Sequence, residues 1–117
     1  MAFDILRGRR VLMEAVMNAM AGYICNKVPE KGTFKGPWLT MNYPGTEHQG
    51  RLYTQHSEKY GCALRASMVV KGTDREISDY VFFGSRQECL DWLQDESHVD
   101  ELIGIYNHLL EKADTMM

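Results

Sequence analysis

The period of the apolar positions changes twice along the chain, and each change marks a switch in element type. Between Ala2 and about Asn26 no proline occurs, and Leu6, Met13, Val16, Met17, Met20 and Ile24 recur at helical spacing. Arg9, Glu14 and Asn18 fall on the other side. Gly8 weakens the first turns, so the pattern predicts a helix over this region that is firm only beyond it. The turn-rich "VPEKGTFKGP" at 28–37 ends it.

A period of two then takes over. "WLTMNY" at 38–43 reads as extended and stops at Pro44-Gly45. In "RLYTQH" at 51–56, Arg51, Tyr53 and Gln55 share one face, and Leu52, Thr54 and His56 the other. "CALRASMVV" at 62–70 sets Cys62, Leu64, Ala66, Met68 and Val70 opposite Arg65 and Ser67. "KGTDR" then connects it to "EISDYVFF" at 76–83 as a hairpin. Val81, Phe82 and Phe83 break the alternation, which makes both faces of the sheet apolar at that end. Either a helix covers each face or one face meets another subunit.

The helical period returns after Gly84. "SRQE" at 85–88 has the spacing of a capping box, with Ser85 and Glu88 as the reciprocal pair. Cys89, Leu90, Trp92 and Leu93 follow on that helix. "DES" at 95–97 interrupts it, and Ser97 is expected to cap the last helix. There Val99, Leu102, Ile103, Tyr106, Leu109, Leu110 and Ala113 form one stripe. The order predicts a single α+β domain over 1–117: an N-terminal helix, a four-stranded antiparallel meander sheet, and two C-terminal helices packed on the sheet.

Composition adds limits. A chain of 117 residues that is 44% hydrophobic and 25% charged is an ordinary globular sequence. Its net charge of −3 argues against general affinity for nucleic acid phosphates. The charge is uneven. Residues 1–28 carry four basic and two acidic side chains, 29–84 seven and six, and 85–117 two and eight, so the segments hold +2, +1 and −6. A basic N-terminal element and an acidic C-terminal one can attract each other within a chain or between chains. Cys25, Cys62 and Cys89 are odd in number and widely spaced, as expected of free thiols in a reducing cytoplasm. The apolar run 11–25 follows "RGRR" but is interrupted by Glu14 and Asn18. It has no good small-residue cleavage site and is shorter than the ~20 apolar residues of a membrane span, so no membrane association is expected.

Candidate chemistry concentrates in residues 45–61. His48, His56 and Cys62 are zinc-ligand types, yet no two sit in one short turn, and no metal or cofactor is expected. An acid–base site would pair His48 or His56 with Glu47, Glu58 or Asp79. No nucleophile, oxyanion donor or phosphate loop accompanies them. This stretch is therefore expected to be a solvent-facing turn and edge strand. Asp79, sharing a strand face with Ile77, Val81 and Phe83, is expected beyond the covered region or paired with Arg65 across the hairpin. Arg51, Tyr53, His56 and Tyr60 are the interface-favoured types there. Met13, Met17 and Met20 add an adaptable apolar stripe on the first helix. These seven residues form the expected interaction surface. Function then reads as a cytoplasmic protein-interaction or assembly module without a catalytic site, homodimeric and able to take a protein partner. Size and lack of catalytic motifs suggest a bacterial or phage accessory protein. The alternatives are a small-molecule enzyme using the His48/His56 region and a nucleic-acid accessory protein using Arg7, Arg9 and Arg10. Nucleic acid is the less expected partner.

Overall fold

Gly61 (φ 97°) and Gly72 (φ 78°) take a backbone conformation that side chains disfavour, and each helps reverse the chain between neighbouring strands. In the computed structural model, residues 2–4, 21–32, 37–42, 48–70, 72–73 and 75–116 are described. They contain β1 (Ala2–Asp4), β2 (Trp38–Asn42), β3 (Gln49–Ser57), β4 (Gly61–Val69) and β5 (Glu76–Gly84). Residues 21–25 are helical and are called α1 here; α2 is Arg86–Gln94 and α3 is Val99–Thr115, with a 3-10 turn, Glu96–His98, between them.

The architecture is α+β, and the four antiparallel strands β2 to β5 follow one another in chain order as expected. A fifth strand joins them. Residues 2–4, expected as the start of a helix, pair in parallel with β2, Ala2 opposite Thr40 and Asp4 opposite Asn42. The free edge of β2 supplies backbone partners to this segment, and tertiary pairing of that kind outweighs a weak helical preference. A parallel pair needs a crossover of about a dozen residues or more, and 5–37 provides it. Arg7, Arg9, Arg10, Met13, Met17 and Met20 lie outside the described residues.

The core lies on one side of the sheet. Leu39, Leu52, Leu64, Ala66 and Met68 point from β2, β3 and β4 into a cluster with Ile24 and Cys25 of α1, Leu93 of α2, and Leu102, Tyr106 and Leu110 of α3. The three helical segments among the described residues all cover this face. Thr54 Oγ1 donates to the Ile24 carbonyl at 3.0 Å, which ties α1 to β3. The Tyr106 hydroxyl donates to the Arg51 carbonyl and ties α3 to the same strand.

The run at 81–83 is resolved by a β-bulge. Leu64 pairs with Phe82 and Arg65 with Tyr80, so Val81 is the extra residue. Val81 and Phe82 both pack against the core, while Phe83 turns to the opposite face beside Ala63. The capping box forms as read: Glu88 N–H donates to Ser85 Oγ at 3.1 Å and Ser85 N–H to Glu88 Oε1 at 3.0 Å. Ser97 is not the cap of α3. His98 occupies that position without a side-chain bond, and Asp95 accepts from the Ser97 N–H at 2.9 Å. The Asp95 carboxylate also accepts from the Ser97 hydroxyl at 2.8 Å, so that hydroxyl is engaged as a donor on the N-terminal side of α3.

Candidate functional site

Of the stretch 45–61, residues 48–61 are described, and they do not form an edge strand. β3 is an interior strand between β2 and β4, because β2 and β1 extend the sheet beyond it. His48, expected in solvent, is only 3% exposed. Its Nε2 donates to Asp114 Oδ1 of α3 at 3.0 Å, a partner 66 residues away that none of the expected pairings with Glu47, Glu58 or Asp79 includes. Asp79, for its part, accepts from its neighbour's Tyr80 N–H at 2.9 Å rather than from Arg65.

His56 stands near the other end of β3, opposite Cys62 on the helix-covered side. Eight residue steps of extended chain separate the two histidines, about 26 Å at the usual strand rise, so they build no common site. Among the described residues, no group of three or more His, Cys, Asp or Glu side chains is placed to hold a metal ion.

The other side of the sheet carries a different constellation. The ladders place Trp38 opposite Tyr53, Tyr53 opposite Arg65, and Arg65 opposite Tyr80. Cross-strand partners share a face, so these four side chains form one lateral row over β2, β3, β4 and β5. Three strand spacings make that row about 14 Å long. Cations lie over its rings: the Arg51 guanidinium 5.1 Å from the Trp38 centroid and the Arg65 guanidinium 4.4 Å from that of Tyr80. At the β5 end the rings continue, Tyr80 to Phe83 at 4.7 Å and Phe83 to Tyr60 at 5.7 Å.

Polar contacts hold the row in place. Arg65 donates to Gln55 Oε1 at 3.3 Å and to Ser78 Oγ, which fixes the guanidinium plane over Tyr80. Ser67 donates to Glu76 Oε1 at 2.6 Å. Burial raises the Tyr53 phenol above its ordinary value of 10.0 against the pull of Arg65, so it remains a neutral hydroxyl. The rings around it are open: Trp38 is 41% exposed, Tyr60 46%, Tyr80 48% and Phe83 42%. Four large rings exposed on one side of a small protein form the kind of patch that marks a contact surface.

No family model matches the chain, and no curated protein or solved structure matches it.

Of the seven residues expected to form the interaction surface, Arg51 and Tyr53 lie in or beside the row, and Tyr60 extends it. His56 is excluded because its strand position faces the helices. Met13, Met17 and Met20 are outside the described residues. The sequence reading did not single out Trp38, Arg65, Tyr80 or Phe83 as a set. Alternation within each strand was visible, but joining them requires the β2–β3 register and the position of the bulge.

A second surface lies beside β5 on the helix side. Phe82, Glu88, Asp91, Trp92, Asp95 and His98 line an open groove of about 390 Å³. Trp92 stacks on His98 at 4.3 Å, and His98 Nδ1 donates to the Trp92 carbonyl at 2.8 Å, so this wall is fixed. Hydrogen bonds from the Ser97 backbone and hydroxyl hold the Asp95 carboxyl below its usual range, keeping it an anion.

Proposed function

We propose that this chain is a protein-binding module that uses the exposed rings on the sheet face opposite the described helices to engage an acidic protein surface. The row Trp38–Tyr53–Arg65–Tyr80 carries the reading. Tryptophan, tyrosine and arginine dominate the energetically important contacts of protein interfaces, because they combine large apolar area with a polar or charged tip. Among the described side chains, Arg51, Lys59 and Arg65 give this face three cations against the Glu76 carboxylate, with Asp4 at the same register row as Glu76, while Glu58 in the β3–β4 turn pairs with Lys31. The local balance therefore favours a partner of negative charge.

The alternatives fit less well. Single-stranded nucleic acid stacks its bases on free ring faces, whereas guanidinium groups already lie over Trp38 and Tyr80. The net charge of −3 also supplies little long-range attraction for phosphate. An enzyme working at the histidines would need His48 or His56 beside a carboxylate in a pocket open to substrate; His48 does meet Asp114, but at 3% exposure it offers a substrate little access. Three unpaired, buried cysteines suit a reducing compartment, and among the described residues no helix is long and apolar enough to cross a membrane.

The test is affinity capture at low salt with the tethered chain and a Tyr80→Glu/Phe83→Glu variant. The native face should retain a protein, its own copy included, that the variant loses and that raised salt releases. Equal retention by both, or no retained protein at all, rules the reading out.

A further inference from the structure

We infer that the acidic partner is a second copy of this chain, docked head to tail, with the aromatic face of one copy on the groove beside β5 and α2 of the next. This rests on the binding role proposed above for the open face. The chain carries both halves of the complement. The groove presents Glu88, Asp91 and Asp95, and its apolar floor is Phe82 and Trp92. Among the described residues, hydrogen bonds engage Glu88 Oε1, Asp91 Oδ1 and Asp95 Oδ1, and a carboxylate has a second oxygen for an arriving cation. From Ser85 to His98 the chain has one basic and four acidic side chains, which complements the cationic excess of the open face.

Size agrees with charge. A groove of about 390 Å³ has room for a projecting ring, and Phe83 and Tyr60 are exposed rings at one end of the cationic face. Arg65 and Lys59 lie near those rings, so inserting the ring brings guanidinium and ammonium groups toward the carboxylates. An aromatic anchor surrounded by ion pairs is the usual arrangement of a strong contact.

The placement of the two surfaces sets the symmetry. The row faces away from the helices, and the groove lies among them, so a contact uses a different surface from each copy. Joining two open faces about a two-fold axis would instead oppose cation to cation. The contact is heterologous, and each copy added leaves one face and one groove unfilled, as in a ring or an open chain.

Sedimentation equilibrium on the purified full chain tests this with two variants, Phe83→Glu for the face and Asp91→Lys for the groove. Both positions are exposed, and an unchanged circular dichroism spectrum and thermal midpoint confirm folding; Tyr80→Glu replaces the face variant if it fails that control. The native chain should associate above its mass of 13.5 kDa, and less so in high salt. Each variant alone should weaken association by at least about tenfold. Mixed together they should recover a one-to-one pair and go no further, because each keeps one intact surface. A native chain that stays monomeric at every concentration overturns the inference, as does association that neither variant weakens or that mixing does not restore. Face-dependent capture of a different protein by a monomeric chain would overturn it too, while leaving the binding role standing. A labelled single-stranded oligonucleotide whose anisotropy rises on the native chain and on Asp91→Lys, but not on Phe83→Glu, would overturn both.

Discussion

Burial pushes the Cys25 thiol from its ordinary 9.0 up to about 12, with Cys62 beside it adding to the shift. Cys89 is also raised, by the hydrogen bond it gives Cys62 and then by burial. For an acid held neutral by folding, the sign is fixed. Between pH 9 and 12 the unfolded chain releases the Cys25 proton and the folded chain keeps it, so stability is lost as pH rises above 9. The urea midpoint should therefore fall from pH 8.5 upward, with this thiol adding up to about 1.4 kcal/mol per pH unit. The same titration of Cys25→Ala should lack that component; a matching slope in both proteins would refute the assignment. His48 is a residue-scale case of a different kind. Asp114→Ala removes an acceptor from a buried imidazole and should cost about 1–3 kcal/mol in urea unfolding. An unchanged midpoint would mean that the contact contributes nothing to stability.

Helix α2 is an element defined at its first residues. Ser85→Ala removes the cap acceptor and should cost about 1 kcal/mol. One position earlier the constraint is steric, since a Cβ on Gly84 would lie 2.9 Å from both the Glu88 Cβ and the Phe82 ring. Glu88 Cβ cannot swing aside without moving the helix, so Gly84→Ala should cost about 1–3 kcal/mol and the thermal midpoint should drop accordingly. At α3 the stripe Val99, Leu102, Tyr106 and Leu109 is buried as its spacing implies. Leu102, fully buried, should cost about 2–5 kcal/mol when cut to alanine. A Leu102→Ala protein that melts with the native one would contradict the packing described. The capping box and this stripe were legible because both are local patterns of three or four residues. The 3-10 turn was not, since Asp95 and Ser97 offered competing caps within three positions.

Across the whole molecule, the two sides of the sheet should respond oppositely to charge. Tyr80→Lys/Phe83→Lys alters exposed rings only, so its unfolding free energy should stay within about 0.5 kcal/mol of native. The same change removes a sticky patch and should raise solubility in polyethylene glycol precipitation. A loss of more than about 1 kcal/mol would show those rings to be part of the core.

Periodicity alone determined the four antiparallel strands, α2, α3 and the α+β class, because backbone period and burial are read one element at a time. It also separated Arg51, Tyr53 and Arg65 from the core-facing positions of their own strands. Tertiary structure decided what those side chains meet. Pairing with β2 made 2–4 a strand, and its register set Trp38 beside Tyr53. The bulge at Val81 sent Phe82 to the core and Phe83 to the open face. The return of α3 brought Asp114 to His48. Each of these depends on contacts between residues far apart in the chain, whose energy is absent from any local window of sequence.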